Sequence, residues 1–158
     1  MGEKTLIRIK ELLSAFDIPF EHLHHESIPR SSRGASEIRG TPLHKGAKAL
    51  VLHASSGNLI QVVIPAHRRA DLKALKRMLG EKNLSLASPD TVLETTGCIV
   101  GSVPPLGRFW ELPVFVDKQL LDTDKVVFSA GTLEDSVRIE PQHLVSLNKA
   151  EVGEYSKE

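Results

Sequence analysis

The sequence predicts a single compact α/β domain of the α+β kind, with short helices around a mixed β-sheet. Three observations lead there. Strand-like runs come in adjacent pairs between helical segments and do not alternate singly with them, which argues against a doubly wound parallel sheet. The runs "KALVLHA" and "LIQVVIP" flank "SSGN", two β-rich segments with a glycine-containing connection, and this reads as a hairpin. A chain of 158 residues with 41% hydrophobic content is enough for one full core and short for two.

The elements follow in order. "EKTLIRIKELLSAF" sets Leu6, Ile9, Leu13 and Phe16 on one helical face, with Lys4, Arg8 and Glu11 elsewhere on the wheel. Pro19 discourages its continuation. "FEHLHHE" reads as a short strand on which His22 and His24 share a face and His25 points the other way. "SSRGASEIRG" reads as a short helix capped by Ser31 or Ser32 and leaving at Gly40. The near-unbroken apolar runs of the hairpin predict strands covered on both faces. "ADLKALKRMLG" is a helix with Asp71 as cap, Leu72, Leu75 and Leu79 on one face, and Gly80 at its end. "SPDTVLETTG" is another, with Ser88 as cap, Pro89 in the first turn and Gly97 past the end. "LPVFVD" and "KVVFSAG" are strands joined by a polar turn around Asp122 and Asp124, and "DSVRIE" pairs with the latter across "GTLED". Pro141 opens a last helix, "PQHLVSL". The domain is expected to span residues 1–148, with 149–158 a polar, frayed tail.

Charge and composition narrow the function classes. Lys plus Arg and Asp plus Glu each number 20, so the net charge is zero with neutral histidines. That argues against non-specific coating of nucleic acid, which needs many phosphate contacts, but leaves room for a local basic patch. The single cysteine excludes an intrachain disulfide and suits a reducing compartment. No apolar run approaches 18 residues and the N-terminal stretch lacks a signal-peptide pattern, so a cytoplasmic protein without a membrane partner is expected.

Five features could carry chemistry. The seven histidines have no accompanying Cys-x-x-Cys, His-Glu-x-x-His or paired-carboxylate spacing, so the expectation is no metal. Cys98 is either a nucleophile or a buried structural thiol; it follows a helix C-terminus, whose dipole would raise its pKa. "HKGAKAL" places Lys48 at the start of an apolar strand, either pointing to water or holding a phosphate or carboxyl-derived oxygen. "AHRRADLK" gathers Arg68, Arg69 and Lys73, either a solvated face or a contact for a nucleic-acid backbone. "TGCIVGSVPPLG" carries Gly97, Gly101, Gly107 and the pair Pro104–Pro105. Glycines let N–H groups approach a ligand and prolines freeze them, which suits either an oxyanion site or a plain rigid connection.

Taken together and in order, "AKALVL", "QVVIPAHRRADLKAL", "LASPDTVLETTGCIVGSVPPLG", "LPVFVD" and "KVVFSAG" resemble the YbaK family, the prolyl-tRNA synthetase associated domain. The resemblance runs from about Phe20 to about Leu147. It implies a mixed, partly barrel-like sheet and trans hydrolysis, without cofactor or metal, of a small amino acid wrongly esterified to tRNA. Alanine or cysteine on proline tRNA is the expected substrate. The family's strand-start lysine matches Lys48, its Gly-x-x-x-Pro loop matches Gly101, Ser102, Val103, Pro104 and Pro105, its strand-closing histidine matches His25, and its late glycine matches Gly131. The resemblance implies that Lys48 holds the terminal phosphate or sugar and that N–H groups near Gly101 stabilise the oxyanion. Water is then the nucleophile, helped by a ribose hydroxyl. A pocket walled by Gly101, Val103, Pro105 and Gly131 would admit only small side chains. Lys45, Arg68 and Arg69 are the expected tRNA contacts, and Trp110 either stacks on the terminal adenine or packs at the rim. The expected partners are the tRNA acceptor end and prolyl-tRNA synthetase, with the protein a monomer or homodimer. A non-catalytic binding module and a Cys98-dependent enzyme stay open as alternatives.

Overall fold

The computed structural model describes residues 2–27 and 32–158. Helix α1 (Glu3–Ala15) leads into strand β1 (Glu21–His24) and helix α2 (Ser32–Arg39). The central hairpin follows as β2 (Ala47–Ala54) and β3 (Leu59–Pro65), then the short β4 (Arg69–Ala70), α3 (Leu72–Leu79), β5 (Leu84–Leu86) and α4 (Pro89–Thr96). The second half holds β6 (Val114–Asp117), β7 (Val126–Ser129), β8 (Asp135–Ile139), α5 (Gln142–Asn148), β9 (Glu151–Gly153) and β10 (Ser156–Lys157).

The largest sheet has the order β5-β2-β3-β6-β9 and is mixed: β2 pairs antiparallel with β3 and β5, while β3–β6 and β6–β9 are parallel. A second, antiparallel sheet has the order β1-β8-β7. One bridge, Gly46 to Val127, joins the two, and they do not close into a barrel. Strand β3 is covered on both faces, as its apolar run predicts. Val63 joins α1, β7 and β8 in the main core with Leu13, Phe128 and Val137, while Ile60, Val62 and Ile64 pack with Leu75 of α3 and Phe115 on the other side.

The local signals are realised where the side chain itself makes the bond. The Asp71 carboxylate accepts from the N–H of Ala74, and the Ser88 hydroxyl accepts from the N–H of Thr91. Gly80 and Gly97 end α3 and α4. Of the two caps expected for α2, Ser31 lies outside the described residues and Ser32 is the first residue of the helix.

Three expectations are corrected. Phe16 is 64% exposed and not on the buried stripe: α1 ends at Ala15, and the turn at Phe16 rotates it away from the face that buries Ile9 and Leu13. The connection around Asp122 is a short 3-10 helix, Lys118–Asp122, which the Asp117 carboxylate caps through the N–H of Gln119 and which buries Leu120. The tail is not frayed. β9 covers the outer edge of β6, and β10 pairs with β4. Tyr155 between them is buried edge-on to Phe115, with its N–H on Asp117 and its carbonyl accepting from Asp71. An edge strand is held by backbone bonds and keeps polar side chains toward water, so its composition reads as a tail.

Candidate active site

The glycine–proline loop after α4 is built from its anchors inward. Gln61 of β3 is fully buried and bonds two backbone groups of the loop: its Nε2 donates to the Pro104 carbonyl at 3.0 Å, and its Oε1 accepts from the Gly107 N–H at 2.8 Å. Asn148 at the end of α5 donates to the Pro105 carbonyl at 2.8 Å. The Ser102 carbonyl accepts from the Gly131 N–H at 2.9 Å, and its hydroxyl turns back to the Ile99 carbonyl.

Within this frame the chain makes a tight turn in which the Ser102 N–H bonds the Ile99 carbonyl. Its third residue, Gly101, has φ 94°, the conformation a type II turn demands there and one that costs a side chain dearly. Among the described residues, none of the N–H groups of Val100, Gly101 and Val103 has a partner. All three residues line one pocket of about 160 Å³.

The rest of that wall comes from distant segments. Lys48, Ala49 and Leu50 of β2 contribute, as do Arg39 and Thr41 around the exit of α2, and Ser129 at the end of β7. Lys48 is half-buried, its ammonium donates to the Arg68 carbonyl at 2.6 Å, and burial lowers its pKa. Arg39 donates from Nη2 to the Ser129 hydroxyl and from Nε to the Ser136 hydroxyl, each at 2.8 Å. Burial pushes its guanidinium down to about 10, so it stays protonated, and no carboxylate pairs with it among the described residues. No Asp, Glu, His or Cys is among the described residues of this wall.

The structure therefore brings together three residues singled out from sequence, Lys48, Gly101 and Val103. Ser102, Pro104 and Pro105 brace the loop through their carbonyls and are buried. Gly131 faces the start of α1: a Cβ there would come within 2.6 Å of the Gly2 carbonyl oxygen. His25 reaches the pocket only through others. Its Nδ1 faces the Glu26 carbonyl at 2.8 Å and its Nε2 the Ser136 hydroxyl at 2.9 Å.

The expected tRNA contacts are each engaged within the chain. Lys45 pairs with Asp124, Arg68 donates to the hydroxyl and carbonyl of Ser156, and Arg69 donates to the Glu158 carbonyl. His67 beside them is held below its ordinary pKa by burial and by Arg68. Trp110 packs on the small cluster around Cys98 and Val103, edge-on to Phe109, and is not among the described residues that line the pocket. Cys98 is fully buried against Val51, Val92 and Val103, and burial raises its thiol pKa. A thiol so placed is a packing group behind the wall rather than a nucleophile.

The histidine strand forms a closed cluster. Asp135 accepts from His22 at 2.7 Å, from His24 at 2.9 Å and from Thr132. Burial pushes this carboxyl up, but the bonds from Thr132, His24 and His22 outweigh it and hold its pKa at about 2.

Sequence reasoning missed Arg39, Thr41, Ser129 and Gln61. Thr41 had a faint signal, a small polar residue between Gly40 and Pro42 in a rigid connection. The other three act through partners far along the chain.

Comparison with known proteins bears on the whole arrangement. The model of the aminoacyl-tRNA editing domain matches residues 25–147. The chain is 33% identical over 160 residues to the multifunctional Ser/Thr-tRNA deacylase ProXp-y of Escherichia coli (strain K12), spanning 99% of this chain and 95% of that protein. It is 25% identical over 134 residues to EbsC of Enterococcus faecalis, named as a candidate Cys-tRNA(Pro)/Cys-tRNA(Cys) deacylase, spanning 85% of this chain and 77% of that one. Among solved structures, the hypothetical protein APE2540 superposes with a TM-score of 0.86 at 27% identity, over 94% of this chain and 99% of that one. A protein described as a candidate trans-editing enzyme for prolyl tRNA synthetase superposes with a TM-score of 0.82 at 26% identity, over 98% of each chain.

Proposed function

The chain belongs to the aminoacyl-tRNA editing domain family, and we propose that it hydrolyses the ester joining a small amino acid to the 3′ end of tRNA. The observation that carries this reading is the set of N–H groups at Val100, Gly101 and Val103, without a partner among the described residues, on the wall of a pocket that Lys48 also lines.

The chemistry needs little else. Water adds to the ester carbonyl carbon and its oxygen becomes negative. Fixed N–H groups stabilise that charge without reorganising, because Gln61, Asn148 and Gly131 already hold the loop. The C–O bond to the ribose then breaks, the departing ribose oxygen takes the proton that water gives up, and free amino acid and tRNA leave. A neighbouring ribose hydroxyl relays that proton, since the described wall carries no carboxylate or imidazole. Lys48, an ammonium bonded to one carbonyl with two protons left, anchors the terminal phosphate or sugar. Serine, cysteine and alanine are within the range of side chains such a pocket sorts, and one methylene separates substrates by only about 1–3 kcal/mol in a synthetase. With zero net charge, the protein takes part of its affinity from a partner such as prolyl-tRNA synthetase in the cytoplasm.

A deacylation panel tests this. tRNA charged with serine, alanine, cysteine or proline is followed with wild type, Lys48→Ala and Cys98→Ala. The expected result is rapid loss of at least one small amino acid, a fall of about 10²-fold in Lys48→Ala, and near wild-type rates in Cys98→Ala. No hydrolysis above buffer for any of them overturns the reading in favour of a binding module.

A further inference from the structure

The group that fixes the Lys48 ammonium belongs to a residue that is not among the described residues lining the pocket. Lys48 stands half-buried on β2, and its Nζ donates to the Arg68 carbonyl at 2.6 Å. No carboxylate pairs with it among the described residues. An ammonium on a flexible four-carbon stem has many rotamers, so one fixed acceptor decides where its other two protons point.

That carbonyl is held by the far end of the chain. Arg68 closes a turn in which its N–H bonds the Pro65 carbonyl, and β4 begins at the next residue. Among the described residues β4 pairs only with β10, Ser156 opposite Ala70 and Lys157 opposite Arg69. The Arg68 side chain reaches the same strand: Nε donates to the Ser156 hydroxyl at 2.8 Å and Nη2 to the Ser156 carbonyl at 3.0 Å. A guanidinium only donates, so the Ser156 oxygen accepts there and gives its own proton to Asp117 Oδ2 at 2.8 Å. Asp117 is buried, and the same oxygen accepts from the Tyr155 N–H at 2.9 Å. The Tyr155 carbonyl accepts from the Asp71 N–H at 2.8 Å, so β4 is tied on both sides.

We propose that the β10 strand is a clamp for the pocket lysine, with Asp117, Ser156 and Arg68 as positioning residues that hold the Arg68 carbonyl and, through it, the Lys48 ammonium. β10 lies past residues 25–147, the stretch that matches the editing-domain model. The effect of the clamp on rate rests on the deacylase reading, whereas the clamp itself concerns where Lys48 is held. Ser156→Ala leaves the Arg68 Nε and the buried Asp117 carboxylate each short of a partner, and Arg68→Met removes both side-chain bonds to Ser156.

The aminoacyl-tRNA that wild type hydrolyses fastest is given to Ser156→Ala, Ser156→Thr and Arg68→Met, each also combined with Lys48→Ala. Ser156→Ala and Arg68→Met should lower kcat/KM by about tenfold, and Ser156→Thr, which keeps the hydroxyl, should recover most of it. Combined with Lys48→Ala, neither change should cost anything further, because the residue it acts through is gone. Losses that persist undiminished in that background mark a tRNA contact or a general loosening and overturn the clamp. Competitive acetylation mapped by mass spectrometry reads Lys48 without turnover. Lys48 should react several-fold faster in Ser156→Ala and Arg68→Met than in wild type, with the exposed Lys73 as an unchanged reference. Unchanged Lys48 reactivity overturns the clamp whatever the rates do. Faster labelling in the variants of a protein that hydrolyses nothing sinks the deacylase reading alone and supports the clamp.

Discussion

The molecule carries two polar clusters, and they are completed differently. On the β1–β8 sheet, Asp135 takes bonds from His22, His24 and Thr132, and the cluster is closed within the chain. Around the pocket, three N–H groups and the Thr41 hydroxyl have no partner among the described residues, and Arg39 has no carboxylate there. Folding favours the first arrangement, because every buried polar group is paired. The second leaves backbone donors free to meet a ligand. Two of the seven histidines lie in the closed cluster, and the bare backbone of a loop lines the open one.

The contrast can be broken from either side. The largest effect is expected at Gln61→Leu, which strands the Pro104 carbonyl and the Gly107 N–H in the interior and should cost about 2–4 kcal/mol in denaturant unfolding. The same variant should lose deacylation even at temperatures where it stays folded, because the loop is no longer held. Next comes the closed cluster. The Asp135 pKa of about 2 lies below its ordinary 3.8, so its stabilisation is complete above pH 4 and is lost as pH falls toward 2. That difference corresponds to about 2 kcal/mol, and Asp135→Asn should flatten the acid limb of a stability–pH curve by that amount while leaving aminoacyl-tRNA hydrolysis at neutral pH intact. The smallest effect is expected at Cys98→Ala, about 1 kcal/mol of lost packing behind Val103 with deacylation unchanged under thiol-alkylating conditions. Alkylation-sensitive activity in wild type would erase the distinction between a packing thiol and a reactive one.

How far the sequence could be read follows from the range of each interaction. Ser88 and Asp71 cap helices within three residues of themselves, and the β2–β3 hairpin turns over four residues, so these are legible locally. Lys48 and the loop around Gly101 were legible through family resemblance, because they recur as a pattern. The anchors were not. Gln61 meets Pro104 at a separation of 43 residues and Arg39 meets Ser129 at 90, and nothing in a glutamine or an arginine announces its partner. The segment 151–157 reads as a polar tail for the same reason: β9 is held by backbone pairing to β6, each of its residues opposite one 36 positions earlier, and only the buried Tyr155 hints at it.

The central claim is that backbone N–H groups of the 100–103 turn are the catalytic donors. It is tested most directly by replacing the amide at Gly101 with an ester, using glycolate at that position, which removes one N–H and keeps the left-handed turn. The account predicts a fall of about 10²-fold in kcat for aminoacyl-tRNA hydrolysis. The same replacement at Ser102, whose N–H already bonds Ile99, should cost far less. A Gly101 ester that hydrolyses at the wild-type rate would contradict it.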